Sequence, residues 1–91
     1  MNWKKRLSYK IIFDDKVIKD LKSIDKPWQK KVLKAIQEKL SENPLIGKKL
    51  VGDLSSFYRL RVGDYRVIYE IIDDELVIVV IKIRHRKFVY R

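Results

Sequence analysis

The segment Tyr58–Glu70, YRLRVGDYRVIYE, constrains the fold more than any other part of the chain. Two runs of alternating aromatic, branched and charged residues flank a Gly-Asp pair, the signature of a β-hairpin closed by a two-residue turn. With Gly63 and Asp64 as the turn, Val62 lies opposite Tyr65, Arg61 opposite Arg66, Leu60 opposite Val67 and Arg59 opposite Ile68. Period-two alternation then puts Arg59, Arg61 and Arg66 on one face and Tyr58, Leu60, Val67 and Tyr69 on the other. Like charges directly opposite each other cost a strand pair roughly 0.2–1 kcal/mol. The Arg61–Arg66 pair therefore calls for a reason outside the stability of the hairpin.

The rest of the chain supplies elements for the hairpin to pack against. Leu7, Tyr9, Ile11 and Phe13 alternate with polar neighbours and read as a first strand. Asp14 and Asp15 offer an N-cap and a first-turn acid, and Val17, Ile18, Leu21 and Ile24 recur at helical spacing. Asp25 and Pro27 open a second helix whose stripe is Trp28, Val32, Leu33, Ile36 and Leu40, ending before Asn43-Pro44. Leu45–Ser56 reads as a basic loop carrying Lys48 and Lys49. After the hairpin strands Phe57–Val62 and Tyr65–Ile72, Asp73-Asp74 forms a turn into Leu76–Ile83, which is apolar on both faces and so belongs inside the sheet. The order βααβββ predicts an α+β fold: two N-terminal helices on one face of a mainly antiparallel four-stranded sheet, in one domain spanning 1–91. The helices need an apolar face, so they take the tyrosine and leucine side and leave the arginines on the open side.

Charge and composition narrow the chemistry. Among 91 residues, 22 Lys and Arg stand against 12 Asp and Glu, a formal net charge of +10 that favours a polyanionic partner. The absence of cysteine excludes a disulfide frame, a thiolate zinc site and a cysteine nucleophile. One histidine and scattered carboxylates give no metal-ligand spacing, so neither a metal nor another cofactor is expected. Met1–Phe13 has no apolar run of signal-peptide length and nothing later approaches a membrane span, so a cytoplasmic protein without a membrane partner is expected.

The C-terminal residues RHRKFVYR leave the last strand carrying Arg84, His85, Arg86, Lys87 and Tyr90. They add cations, the chain's one histidine and a ring able to stack on a base. Clustered guanidiniums suit phosphate, because each planar fork donates two parallel hydrogen bonds. Histidine is the side chain best suited to act as acid or base near neutrality. These groups match transfer at an RNA phosphodiester, where the substrate brings its own 2′-hydroxyl nucleophile and the protein orients it, moves protons and stabilises the charged phosphorane.

YRLRVGDYRVIYEI and IRHRKFVYR, behind two helices ending in ENPLIGKKL, resemble the RelE family of toxin–antitoxin systems, from Tyr9 to the end of the chain. The resemblance implies the RelE-like fold and a ribosome-dependent endoribonuclease that cuts mRNA in the decoding site by metal-independent 2′-hydroxyl attack. By position, it implies catalytic roles for Arg61, Arg66, His85, Arg86 and Tyr90. Arg66 and Arg86 would hold the phosphate, and Tyr90 would stack on or orient the nucleotide. Arg59, Arg84, Lys48, Lys49 and Lys87 would contact RNA. Better-known family members carry lysines where Arg59 and Arg61 stand. Arginine is a poor general base, so these positions stabilise charge and the base is sought at His85 or Tyr90. The implied partners are an acidic RelB-like antitoxin, the ribosome and mRNA, with operator DNA reached only through the antitoxin complex. A ParE-like toxin that binds and poisons DNA gyrase without nuclease chemistry is the alternative.

Overall fold

The computed structural model describes residues 8–50 and 56–85. It has the expected α+β form: strand β1 (Lys10–Phe13), helices α1 (Asp15–Lys22) and α2 (Lys26–Ala35), then strands β2 (Lys48–Lys49), β3 (Phe57–Val62), β4 (Tyr65–Ile72) and β5 (Val77–His85). The sheet has five strands in the order β1-β5-β4-β3-β2, one more than the four predicted. The added strand is the Lys48–Lys49 pair, read from sequence as loop. It is too short to show periodicity and is defined by antiparallel pairing with Arg59 and Tyr58. The β2–β3, β3–β4 and β4–β5 pairs are antiparallel and β1 joins β5 in parallel. That leaves β5 paired on both sides, as its apolar sequence requires.

The hairpin register is the one read from the sequence, Val62 opposite Tyr65 through Arg59 opposite Ile68. Gly63 has φ +60° while Asp64 stays at negative φ, the arrangement of a II′ turn, which suits the twist of the strands it joins. A Cβ at Gly63 would also overlap the Trp28 indole, so glycine is required there on two counts. Between β4 and β5 the register shifts: Ile68 pairs Lys82 but Tyr69 pairs Val80, leaving Ile81 as a bulge.

α1 is capped by Asp14, whose Oδ1 accepts from the Lys16 amide at 2.9 Å. α2 begins after Asp25 with Pro27 in its first turn, but the Asp25 side chain makes no capping hydrogen bond. The α2 stripe continues past Ala35 through a π-helical turn, Ile36–Leu40, which keeps both of its end residues buried. The core joins Val17, Leu21, Ile24, Val32, Ile36 and Leu40 of the helical layer to Leu60, Val67, Tyr69, Ile78, Val80 and Ile83 of the sheet. Burying one such aliphatic side chain stabilises by about 1.5–3 kcal/mol. Ile18 departs from its expected place in the stripe: it is 44% exposed, because Val17 and Leu21 already fill the side of α1 that packs on β5. The Asp73-Asp74 turn is a 3₁₀ turn, Asp73–Glu75, closed by Leu76 in the left-handed region at φ 53°.

Candidate functional site

The sheet face turned away from the helices carries the arginines. Arg61, Arg66 and Arg84 stand opposite one another across β3, β4 and β5, forming a single cross-strand row. In the parallel row beside it, Lys48, Arg59, Ile68 and Lys82 align across β2 to β5. Strand alternation therefore gathers Lys48, Arg59, Arg61, Arg66, Lys82 and Arg84 on one face. Lys82 was not singled out from the sequence. Its signal lay in the alternation of IKIR at the end of β5, once Ile81 is taken as the bulge.

Arg66, at the middle of its row, is 6% exposed and is the buried charged residue among those described, whereas Arg61 and Arg84 are exposed. Burial between its neighbours restricts the Arg66 side chain, while Arg61 and Arg84 on either side of it reach solvent. Glu70 lies two rows from Arg66 on the same face, opposite Phe57. The described residues contain no group of three or more His, Cys, Asp or Glu able to hold a metal ion.

The basic loop is fastened to this sheet from the helix side. Tyr69, fully buried, donates its hydroxyl to the Pro44 carbonyl at 2.6 Å and accepts from the Gly47 amide at 3.1 Å. A Cβ at Gly47 would collide with the Tyr69 hydroxyl and the Arg59 carbonyl, so the chain passes too close to the sheet for any other residue. This clamp brings Lys48 into register with Arg59 while Lys49, paired with Tyr58, falls on the opposite face. Burial pushes the Tyr69 phenol above its ordinary pKa of 10.0, with the Gly47 amide opposing that shift and Tyr58 adding to it.

The hairpin turn is fixed in a comparable way. The Trp28 ring lies against Gly63 and 5.8 Å from the Tyr65 ring, with Lys31 Nζ 4.6 Å above it. The first turn of α2 thus braces the end of the hairpin that carries Arg61 and Arg66.

His85 does not join the arginine row. β5 runs two residues beyond its predicted end, and alternation turns His85 to the helix side, where it meets the Tyr65 ring edge-on at 5.1 Å and 84°. There it borders a cleft of about 440 Å³ lined by Asp20, Ser23, Asp25, Tyr65 and Arg84 as well. Sequence reasoning missed this cleft because its parts come from the end of α1, the start of α2 and the ends of β4 and β5. Arg86, Lys87 and Tyr90 lie outside the described residues.

Comparison with known proteins agrees with this architecture. Residues 11–90 match the family described as ParE toxin of type II toxin–antitoxin system, parDE. The chain is 32% identical to Toxin RelE3 of Methanocaldococcus jannaschii, covering 89% of this chain and 94% of that one. It is 28% identical to the mRNA interferase toxin RelE of Escherichia coli K12, covering 92% of each. Among solved structures, the toxin–antitoxin complex RelBE2 from Mycobacterium tuberculosis superposes with a TM-score of 0.83 at 29% identity, over 87% of this chain and 92% of that one.

Proposed function

The chain belongs to the ParE toxin family of type II toxin–antitoxin systems, within the RelE/ParE superfamily, and on that footing we propose that it is a ribosome-dependent mRNA endoribonuclease that inhibits translation in the cytoplasm. The observation that carries this reading is the row Arg61–Arg66–Arg84, three cations that the strand register brings together on the sheet face away from the helices at a cost in mutual repulsion. Relatives named mRNA interferase support it. A scissile phosphate seated on the row would neutralise it, and the same cations would then stabilise the phosphorane.

In the proposed step the 2′-oxygen of the RNA bonds to phosphorus and the bond from phosphorus to the 5′-oxygen breaks. A base takes the 2′-hydroxyl proton, and the departing 5′-oxygen receives one. Because the nucleophile belongs to the substrate, the protein need supply only position, charge and proton transfer, and the scheme calls for no metal. Arg66 and Arg86 hold the phosphate, with Arg61 stabilising charge. Arg59, Arg84, Lys48 and Lys87 guide the RNA strand. Lys49, turned to the other face, has a more distant part in this. The placement of His85 on the helix side moves the search for the proton-transfer residue toward Tyr90.

An acidic RelB-like antitoxin is the partner this basic surface calls for, with ribosome and mRNA as targets and operator DNA engaged only through the antitoxin complex. The match to the ParE description favours one competing reading, a gyrase-poisoning toxin without nuclease activity. Growth arrest abolished by Arg66→Ala or Arg86→Ala and accompanied by mRNA loss supports the nuclease. Arrest that survives both substitutions, with gyrase trapped on DNA, supports the alternative.

A further inference from the structure

Cleavage of a phosphodiester by its own 2′-hydroxyl needs a proton for the departing 5′-oxygen, and the arginines of the row are poor donors of one. A guanidinium keeps its charge at any working pH, so it holds a phosphate without moving protons. A lysine ammonium also binds an anion and can in addition pass a proton to it. The bulge in β5 brings such a group to the row. Val77 and Val79 lie opposite Ile72 and Glu70 on the arginine face, so unbroken alternation would put Ile81 on that face and Lys82 on the helix side. The extra residue at Ile81 reverses this: Lys82 lies opposite Ile68 and Arg84 opposite Arg66, and both cations share the face. Re-aiming a side chain beside an active site is a recurrent use of a bulge.

Lys82 is exposed, and Ile68 directly across from it is a half-buried aliphatic that offers its ammonium no partner. Its diagonal neighbour on β4 is Arg66, a placement of about 7–8 Å between backbones that a long side chain spans. Glu70 stands on the other side of Ile68, across the bulge. Lys48, at the far end of the same cross-strand row, is two strands away from Arg66. We infer that Lys82 is the proton donor to the 5′-oxygen, a catalytic residue of the RNA cleavage proposed above, on which this assignment rests. As the 2′-oxygen bonds to phosphorus and gives its proton to the base, the bond from phosphorus to the 5′-oxygen breaks. The electron pair left on the 5′-oxygen takes a proton from the Lys82 ammonium, and the neutral amine recovers one from water.

The test compares two messages on purified ribosomes under single-turnover conditions, one natural and one with sulfur replacing the 5′-oxygen at the bond that the wild type cuts. A thiolate is a far weaker base than an alkoxide and departs without a proton. Lys82→Gln and Lys82→Arg are expected to slow cleavage of the oxygen message by about 10²-fold or more, and to cut the sulfur message at close to the wild-type rate. Lys82→Arg keeps the positive charge and any pairing with Glu70, so it separates proton transfer from charge. Full activity of Lys82→Arg on the oxygen message, or a loss equal on the two messages, overturns Lys82 as the proton donor and leaves the nuclease reading standing. A wild-type protein that leaves both messages whole overturns the nuclease reading together with it.

Discussion

Arg61 and Arg66 face each other directly across the β3–β4 hairpin, and Arg66 in turn faces Arg84 across β4–β5. Pairs of like charge in this geometry oppose sheet formation by roughly 0.2–1 kcal/mol each. Removing one charge from the exposed end of the row should therefore stabilise the fold while harming function. Arg61→Gln is expected to raise unfolding stability by roughly 0.2–1 kcal/mol in urea denaturation and to weaken RNA binding. A variant that is both less stable and unimpaired in binding would show that the row serves the fold.

The salt dependence of RNA binding tests the same row from the ligand side. Each phosphate neutralised on a single strand contributes about 0.7 to the slope of log affinity against log salt. Arg61→Gln and Arg84→Gln should each reduce the magnitude of that slope by about 0.7, with little dependence on sequence. A slope equal to that of the wild type would place these side chains away from the RNA backbone.

At the hairpin turn, Gly63→Ala has to adopt φ +60° and displace the Trp28 ring. The expected loss is about 1–3 kcal/mol of stability, measured as a lower thermal midpoint. Activity at permissive temperature should fall as well, since the turn holds Arg61 and Arg66 in register. An unchanged midpoint would mean that the turn relaxes without consequence.

Much of this turn could be read directly from the chain, and the reasons are local. The hairpin register follows from period-two alternation around Gly63-Asp64, and nothing further along the chain can shift it. The helices follow from Val17, Leu21 and Ile24 and from Trp28 to Leu40, where the apolar spacing is helical. What escaped depends on contacts between distant segments. β2 exists because Tyr69 clamps the loop at Pro44 and Gly47, and two lysines carry no sign of that. The bulge at Ile81 resets which β5 residues share a face, so Lys82 joins the cations. Extension of β5 to His85 turns that side chain away from Arg84, which separates a histidine and an arginine adjacent in sequence.

Tyr69→Phe removes both hydrogen bonds of the clamp and leaves the Pro44 carbonyl and Gly47 amide without their buried partner. The expected cost is about 1–3 kcal/mol, together with weaker RNA binding as Lys48 leaves its register with Arg59. An effect on stability with RNA binding intact would detach the loop from function.

Tyr69 also sets an alkaline limit. Its folded-state pKa is raised above the ordinary 10.0, chiefly by burial, so the folded protein holds this proton more tightly than the unfolded chain. The stability that results is complete below the unfolded value and is lost as pH rises through the higher folded one. Wild-type stability should therefore fall on the alkaline side of pH 10.0, and the fall should be shallower in Tyr69→Phe. Parallel curves for the two proteins would exclude this phenol as the cause.

The most direct measurement is primer extension on a defined message translated with purified ribosomes, in the presence and absence of this protein and of its Arg66→Ala variant. Breaks within the translated region that require both translation and Arg66 are the expected result. An intact message under conditions where the wild-type protein still arrests growth would contradict the proposed nuclease.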